Sequence, residues 1–588
     1  MNTEIKSPHH FHIPVMGLAF TIDTPIKVAQ YGINSVVSVI EHEMLETMRE
    51  LICKQNGIGF FKIPSSTDDY VAKRITAYLN TLQQVVHEQM ETNRKDEYGT
   101  HSNFDLYFEY LPDDSDLKQK YLQVASLVGE EKELAIQYLK ANMIAGSIDV
   151  NIMTKVDKFN YDKEGNVMPS QYSDALTCLR GYANSDLSSS LILSAGINPR
   201  LYSYLSEFED FYSKDGADMK KKIVIKVSDF RSAQIQGKFL AKKGIWVSEF
   251  RIESGLNCGG HAFATEGLLM GPILEEFKNK REDLYNELYT IYVEALRTNH
   301  KSIPNTKPYL RITAQGGVGT AEETNFLLSY FALDSVGWGS PFLLVPETTN
   351  VDRNTLKDLS EASPENYFLS HSSPLGVPFN NFSKSSSLHL IQERIENGKA
   401  GSPCTKKYLQ LNTEFTDTPI CTASTKYQTL KLAQIKESAV DEEDYQRKAK
   451  AVLEKECLCE GLSSPAYLKN LLPKKLDAVS ICPGPNLKYF SGIFSLRQMI
   501  DHIYGRANIL NSLWRPNLFV NELKLYIDYL HAEKLNGTAT KENYWNKFTT
   551  NLIEGINYYK SVVKNVENEY LPTFKNMEYE LDKLLLTI

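Results

Sequence analysis

The residues best suited to chemistry begin with a histidine that follows two glycines. Gly259, Gly260 and His261 end the segment GLNCGGH, which comes after a predicted strand. An imidazole titrates near neutral pH, so it can act as a general acid or base or hydrogen-bond a substrate oxygen. Glycines let the backbone approach a ligand closely. His261 is therefore a candidate for chemistry at this point of the chain, with capping of the next helix as its alternative role.

Two further glycine-rich turns are suited to holding a phosphate. Gly316 and Gly317 lie in the segment QGGVGT, and Gly339 and Ser340 lie in GWGS. Glycine amides can approach an anion closely, and the N-terminus of a following helix favours negative charge. In an eight-stranded α/β barrel, the loops after the seventh and eighth strands often hold a phosphate. The pattern predicts a phosphate site made by these four residues.

Cysteines are concentrated late in the chain, with five of the eight after residue 400. Four thiolates can bind zinc or an iron–sulfur cluster, and several of these cysteines neighbour proline or glycine. Their C-x-C spacing is not the usual C-x2-C of such sites. Unligated thiols are therefore the preferred interpretation, and a metal site is the alternative. The five candidates are Cys404, Cys421, Cys457, Cys459 and Cys482.

Eight short segments in the first 350 residues alternate with helical stretches, as in a parallel α/β fold. Most are nearly all apolar or end in small residues, as strands covered on both faces should be. We predict a (β/α)8 TIM barrel, in which the active site lies at the carboxyl ends of the strands. The predicted strands are residues 13–19, 35–40, 148–153, 190–195, 222–227, 245–250, 309–314 and 334–339.

The predicted barrel, residues 1–350, is longer than the fold requires. An insertion at about 60–145 has the pattern of long charged helices and is expected to be a lid, a cover or an oligomer contact. Residues 351–494 form a predicted irregular region that contains the cysteines, and residues 495–588 have a helical pattern. The stretch around Pro378 is expected to return over the barrel mouth because it follows the eighth strand.

Composition excludes some classes of function. The 588 residues carry 64 basic and 73 acidic side chains, a net charge of -9, which is unsuited to gripping a nucleic acid backbone. We find no run of about 18 apolar residues and no signal pattern, so no membrane span is expected. Sparse cysteines fit a reducing compartment, and we predict a cytoplasmic protein.

Five segments resemble, in order, the signature segments of the nitronate monooxygenase (formerly 2-nitropropane dioxygenase) family. They are IPVMGLAF, IDVNIMTK, GLNCGGHAF, ITAQGGVGTAEE and DSVGWGSPFLLVPE, within residues 13–350. The flavin-dependent enoyl-acyl carrier protein reductases share this barrel. So do the enoyl reductases of polyunsaturated fatty acid and polyketide synthases, to which IVIKVSD is similar. The resemblance implies an FMN-dependent oxidoreductase that oxidises a small organic substrate.

The resemblance also implies individual roles. Asn151 would hydrogen-bond the flavin ring, and Lys226 would lie near its electron-rich edge, where a cation stabilises the reduced cofactor. His261 would remove the α-proton of a nitroalkane or serve an acyl substrate. The residues implied to bind FMN are Met16, Gly17, Asn151, Lys226, Gly259, Gly260, Gly316, Gly317, Gly339 and Ser340.

Two other hypotheses stay open. One is an NAD(P)H-dependent enoyl-thioester reductase, which needs no separate GxGxxG domain and takes an acyl thioester. The other is a non-catalytic barrel scaffold with a metal-binding C-terminal region, since a fold does not fix a function. Asn257 and Cys258 before the GGH, and the second strand SVVSVIEHEM, depart from the family pattern. The substrate, the electron acceptor and homo-oligomerisation are therefore left open.

Overall fold

A closed barrel of eight parallel strands, neighbouring in chain order, forms the first half of the protein and confirms the predicted fold class. The computed structural model describes residues 7–194, 196–257, 265–474, 476–535, 542–566, 570 and 573–588. The barrel strands are β1 (Phe11–Ile13), β2 (Asn34–Ser38), β3 (Ile148–Ile152), β4 (Ser189–Leu193), β5 (Lys221–Val227), β6 (Val247–Glu253), β7 (Arg311–Gln315) and β8 (Ser335–Gly337).

All eight strands lie close to their predicted positions, and two of them, β1 and β6, differ most in their bounds. β1 ends at Ile13 rather than running from 13 to 19, because Pro14 has no amide to donate to a neighbouring strand. β6 extends to Glu253 rather than ending at 250. Its charged residues occur at every second position and point into the barrel, whereas Phe250 and Ile252 pack among the outer core residues.

The interior of the barrel is only partly apolar. Val36, Ile192 and Val224 form a small buried layer with Val15 packed against it. Charged residues also lie inside, and the Arg251 guanidinium is 2.7 Å from the Glu249 carboxylate. Burial by itself raises the pKa of Glu249, but the charges of Arg251 and Arg311 outweigh it and set this pKa at about 2.

Helices surround the barrel and build the insertion. Of the long charged helices predicted in the insertion, one is present at residues 70–93, whereas the rest of the insertion forms three short helices. Pro112 lies between the first and second of these, and Gly129 (φ +57) begins the third. The helices through the barrel are α1 (Thr24–Val28), α2 (His42–Gln55), α3 (Tyr70–Asn93), α4 (Asn103–Tyr110), α5 (Asp116–Gln123), α6 (Gly129–Ala141), α7 (Asp174–Ala183), α8 (Pro199–Tyr204), α9 (Phe230–Ala241), α10 (Met270–Thr298) and α11 (Ala321–Tyr330).

The C-terminal region is more regular than its composition indicated. An antiparallel hairpin, β9 (Tyr367–Ser370) and β10 (Phe379–Phe382), lies where an irregular chain was predicted. The helices are α12 (Arg353–Ser360), α13 (Ser386–Glu396), α14 (Thr425–Ser438), α15 (Glu442–Leu453), α16 (Leu458–Gly461), α17 (Ser464–Lys469), α18 (Leu496–Ile503), α19 (Leu518–Leu535), α20 (Glu542–Asn565) and α21 (Met577–Leu585). Among the described helices, none is long and apolar enough to cross a membrane.

The C-terminal region packs directly on the barrel. Backbone hydrogen bonds join Ala19 to Leu462 at 3.1 Å and Phe494 to Leu344 at 3.0 Å. The Lys469 ammonium donates to the backbone carbonyl of Thr349 at 2.6 Å. The buried apolar residues of both parts form one continuous cluster. This packing brings the C-terminal region over the carboxyl ends of the strands, where the site was predicted.

Candidate active site at the barrel mouth

A carboxylate organises the polar groups at the carboxyl ends of the strands, called the barrel mouth below. Glu253, the last residue of β6, accepts hydrogen bonds from Gln315 on β7 at 2.7 Å and from Asn257 at 2.6 Å. The Lys226 ammonium, on β5, lies 3.1 Å from the same carboxylate oxygen. The side chains of Lys226 and Glu253 are only 12% and 14% exposed. Glu253 therefore holds the Lys226 ammonium inside the mouth, where solvent reaches it little.

Asn151 carries an unsatisfied acceptor at the same level. It lies on β3 opposite Ser38 of β2 and is 8% exposed. Its side-chain oxygen is buried and has no hydrogen-bond partner among the described residues. An unpaired buried acceptor costs about 1–3 kcal/mol, so such groups are usually paired with a ligand or water when they are retained. The Asn151 oxygen is therefore an acceptor that a water or a ligand donor could pair.

These groups line a cavity of about 140 Å³, called the mouth cavity below. Its barrel side includes Gly17, Asn151 and Lys226. Its roof is mostly apolar and comes from the C-terminal region, namely Leu375, Tyr408, Leu409, Leu458, Cys459 and Leu462. Small-molecule sites usually have about 300–1,000 Å³, so the cavity holds only a fragment of a cofactor in this conformation. Leu375 brings the stretch around Pro378 to the mouth, as predicted.

The remaining residues implied to face the flavin have different surroundings. Met16 is fully buried in the main core, and its backbone amide donates to the Thr21 hydroxyl at 3.3 Å. Gly17 has a φ of +62 and lines the mouth cavity. Gly259, Gly260 and His261 lie outside the described residues. No position in the insertion at 60–145 is among the described residues that line the mouth cavity.

The two predicted phosphate-binding turns lie together beside the mouth. Gly316 and Gly317 follow β7 with φ of +112 and +83, which only glycine adopts easily. Gly339 and Ser340 follow β8, where a short 3-10 helix begins at Ser340. Within the described part of the chain, no acceptor receives a hydrogen bond from the backbone amides of these four residues. As far as the described residues go, these amides are donors of the kind that a phosphate requires.

The space in front of these turns is filled by the protein's own chain. Residues 481–486, called the cover segment below, bring the Gly484 amide to 2.9 Å from the Ser340 hydroxyl. Asn486 donates to the Val318 carbonyl at 2.9 Å. A phosphate cannot occupy this position unless the cover segment moves. The predicted FMN site therefore fits at the ring end, where Asn151 and Lys226 lie, and does not fit at the phosphate end in this conformation.

A buried ion pair connects the cover segment with the start of α11, because its arginine, Arg515, also donates to the Asn486 side-chain oxygen at 3.0 Å. The Arg515 guanidinium contacts both oxygens of Glu323 at 2.6 and 2.8 Å and donates to the Gly317 carbonyl at 2.7 Å. Glu323 also accepts from the Gly319 amide at 2.9 Å. The Thr320 hydroxyl caps α11 by accepting from the Glu323 amide, and the Glu323 carboxylate accepts from the Gly319 amide. The positive end of α11 is thus already matched by a carboxylate.

The late cysteines were the candidates for a metal site. No group of three or more His, Cys, Asp or Glu side chains in the described ranges is arranged to hold a metal ion. Four of them nonetheless lie close enough together for the charge of one to raise the pKa of another, namely the cysteines at 404, 421, 457 and 459. Cys482 is buried in the cover segment. The zinc or iron–sulfur alternative therefore gains no support from the described residues, and none of the described cysteines is in a disulfide.

Sequence reasoning did not identify several of these residues. Glu253, Gln315 and Asn257 surround Lys226, and the cover segment was not connected with the phosphate turns. The alternation of Glu249, Arg251 and Glu253 within β6 was a usable signal, because charges at every second position of a barrel strand point inward. The contacts of Gly484 and Arg515 left no comparable signal, since they join residues far apart in the chain.

Comparisons with known proteins add little to this description. No family model and no curated protein matches the chain. Among solved structures, it is similar to the enoyl reductase domain of MlnA from the macrolactin biosynthesis cluster of Bacillus amyloliquefaciens. The two are 14% identical with a TM-score of 0.31, over 75% of this chain and 93% of that chain. The fold and site define an α/β barrel with a polar mouth closed by a C-terminal cover. That description rests on the chain's own strand pairing and contacts.

Proposed function

We propose that this protein is a flavin-dependent oxidoreductase whose reaction takes place at the barrel mouth. The observation that carries the proposal is the buried, unpartnered side-chain oxygen of Asn151 on the wall of the mouth cavity. An oxygen in that position accepts a hydrogen bond from a ligand N–H, and flavin rings carry such a group. The resemblance of the barrel segments to nitronate monooxygenases supports the same cofactor.

The residues at the mouth suit the ring of FMN. Lys226 supplies a cation that is held by Glu253 and can offset negative charge on a reduced ring. Gly17 leaves the wall without a side chain at the point where Leu462 approaches. When bound, FMN would supply reversible transfer of an electron pair. Its phosphate would be held by the free amides of Gly316, Gly317, Gly339 and Ser340 once the cover segment has moved away.

The substrate class is proposed from the resemblance and the roof. Apolar side chains over the mouth exclude water and suit the apolar part of a small organic substrate. We propose oxidation of such a substrate with oxygen as the oxidant, with His261 as the base. An enoyl-thioester reductase that consumes NAD(P)H is the alternative on the same barrel. Oxygen uptake with nitroalkanes supports the first activity, and NAD(P)H consumption with an enoyl thioester supports the second.

One observation favours a non-catalytic scaffold as the second candidate. The Gly484 amide already uses the Ser340 hydroxyl, and the chain itself lies across the phosphate turns. A barrel that has lost its cofactor has no need to keep this space open. In that case the C-terminal region would be the functional part of the protein.

The experiment that decides between them is an absorption spectrum of the purified protein, recorded before and after incubation with FMN under anaerobic conditions. Flavin bands that remain with the protein after gel filtration support the oxidoreductase. A colourless protein after reconstitution supports the scaffold. A His261→Ala variant that keeps the flavin bands but loses turnover supports the catalytic role of His261, and unchanged turnover removes it.

A further inference from the structure

A second cavity lies at the amino-terminal ends of the barrel strands, where it is lined by the first residues of several strands. It has a volume of about 380 Å³ and is called the floor cavity below. The buried layer of Val36, Ile192 and Val224 separates it from the mouth, since Val15, packed against this layer, lines the mouth cavity and Val224 lines the floor cavity. Small-molecule sites usually have about 300–1,000 Å³. The floor cavity is therefore large enough for a ligand and independent of the mouth.

The wall of the floor cavity is largely polar, whereas branched apolar side chains usually fill the interior of such a barrel. Serine hydroxyls line it from several strands, and the described residues of the wall include four cationic side chains and two carboxylates. Two of the cations, Lys220 and Lys222, are paired at 3.1 and 3.0 Å with Asp210 and Asp218, which do not line the cavity. The other two cations are arginines inside the barrel. A ligand in the floor cavity would therefore meet both guanidinium and carboxylate groups.

The arginines share a single carboxylate. Arg251 is 3% exposed, and its Nε donates to Oε1 of Glu249 at 2.7 Å while its Nη2 lies 2.7 Å from the same oxygen. The Arg311 Nε lies 3.9 Å from the other oxygen of Glu249. The third nitrogen of Arg251, Nη1, has no hydrogen-bond acceptor among the described residues. One carboxylate thus faces two guanidinium groups, and an anion in the cavity would balance the second of them.

Further groups on the wall are available to a ligand. The Asn34 side-chain oxygen accepts from the Ser147 amide at 2.8 Å, which leaves its Nδ2 without an acceptor in the described part of the chain. The Ser190 hydroxyl likewise makes no hydrogen bond with a described residue. Asp149 uses one oxygen to accept from the Ser147 hydroxyl at 2.5 Å and from the Ser190 amide at 3.0 Å, so its second oxygen can accept from a ligand hydroxyl. Burial raises the pKa of Asp149, which makes this carboxyl easier to protonate beside an anion.

We propose that the floor cavity binds a small phosphate ester that carries hydroxyl groups. Arg251 Nη1, Asn34 Nδ2 and Ser190 Oγ would donate to the phosphate oxygens, and a ligand hydroxyl would donate to the second oxygen of Asp149. Hydrogen bonds between a guanidinium and a phosphate are charge-assisted and therefore strong. This site goes beyond the flavin chemistry proposed for the mouth and does not depend on it, so binding is expected with or without FMN.

The test is a calorimetric titration of the full-length protein with glycerol 3-phosphate, in a buffer free of phosphate. We expect saturable binding at one site. Inorganic phosphate should bind more weakly because it lacks the hydroxyl groups, and glycerol should not bind detectably because it lacks the charge. Absence of glycerol 3-phosphate binding, or an equal affinity for inorganic phosphate or for glycerol, would overturn the proposal and leave the buried charges as a structural network of the barrel.

Four variants locate the bound ligand. Ser190→Leu fills part of the cavity without removing a charge, and Arg251→Lys keeps a cation beside Glu249 but loses the Nη1 donor. Each should weaken binding about tenfold or more, and wild-type affinity in both would overturn the proposal. Ser66→Leu, at an exposed serine ahead of α3, is the matched control and should bind as the wild type does. Weaker binding in Ser340→Ala would place the phosphate at the mouth and overturn the proposal. If Ser190→Leu fails to fold, Arg251→Lys and Ser340→Ala still distinguish the two ends of the barrel.

Discussion

The Gly484 amide and the Ser340 hydroxyl, 144 positions apart in the chain, are joined by a hydrogen bond of 2.9 Å. This bond places the cover segment across the glycine turns that follow β7 and β8. The barrel alone would leave the carboxyl ends of its strands open. The C-terminal region closes them at this point. Access to the site depends on how firmly the cover is held, and the cover contacts can be tested one at a time.

Substitution of Gly484 by Ala should loosen the cover. A Cβ at this position would lie 2.5 Å from the Ser340 hydroxyl and 2.7 Å from the Leu256 carbonyl, so the segment must shift. We expect a loss of about 1–3 kcal/mol in the free energy of unfolding, measured by urea denaturation. Gly59→Ala is the control, because its Cβ would meet only Phe61 at 4.0 Å. Equal stability of the two variants would contradict the proposed tightness of the cover.

Removal of the Arg515 charge should be more costly. The side chains of Arg515 and Glu323 are 6% and 2% exposed, so Arg515→Leu leaves a carboxylate buried without its partner. We expect a loss of about 3–5 kcal/mol, since a single partner of a buried pair has been removed. Lys280→Gln breaks an exposed pair with Glu276 and should change stability by no more than about 0.5 kcal/mol. A small effect of Arg515→Leu would mean that the pair does not hold the cover.

The unpartnered oxygen of Asn151 predicts opposite effects on stability and binding. Asn151→Leu removes a buried acceptor that has no partner, so the ligand-free protein should gain about 1 kcal/mol in free energy of unfolding. The same change should weaken FMN binding about fivefold, because one hydrogen bond of about 1 kcal/mol is lost. Denaturation and flavin fluorescence titration measure the two quantities.

Asn257→Leu is the matched control for this pair of measurements. Asn257 donates to Glu253 at 2.6 Å, so its loss should lower stability instead of raising it. If Asn151→Leu and Asn257→Leu destabilise the protein alike, the Asn151 oxygen is satisfied in solution and does not mark a ligand position.

A buried carboxylate behind the β6 loop predicts a pH dependence of stability. Glu522 accepts from the Met270 amide at 2.8 Å and is 1% exposed. Burial is the main cause that raises the pKa of Glu522 to about 7, against hydrogen bonds that lower it. Because the folded-state pKa is raised, the folded protein binds the proton more tightly. The stabilisation is full below about pH 4.5 and is lost as the pH rises through about 7.

We expect the wild type to lose about 3 kcal/mol of stability between pH 4.5 and 8 through Glu522, relative to Glu522→Gln. Urea denaturation across this range measures it. Glu276→Gln, which changes the same charge at an exposed position, should follow the wild-type profile. A parallel profile for wild type and Glu522→Gln would show that this carboxylate does not titrate in the range.

The barrel could be predicted from the sequence because the patterns that indicate its strands involve residues close together in the chain. A strand buried on both faces needs apolar residues at consecutive positions. β2 and β4 show this with the buried pairs Val36–Val37 and Leu191–Ile192. Glycine turns after β7 and β8 and the Thr320 cap were also visible, since each depends on neighbouring residues. The position of Lys226 inside the mouth followed from strand alternation once the register was known.

The state of the site was decided only by tertiary structure. Whether the Ser340 hydroxyl is free depends on Gly484, and whether Glu323 is paired depends on Arg515, and neither partner is near in sequence. Local propensity and periodicity determine which elements form. The packing of distant segments on those elements determines which polar groups stay available for chemistry.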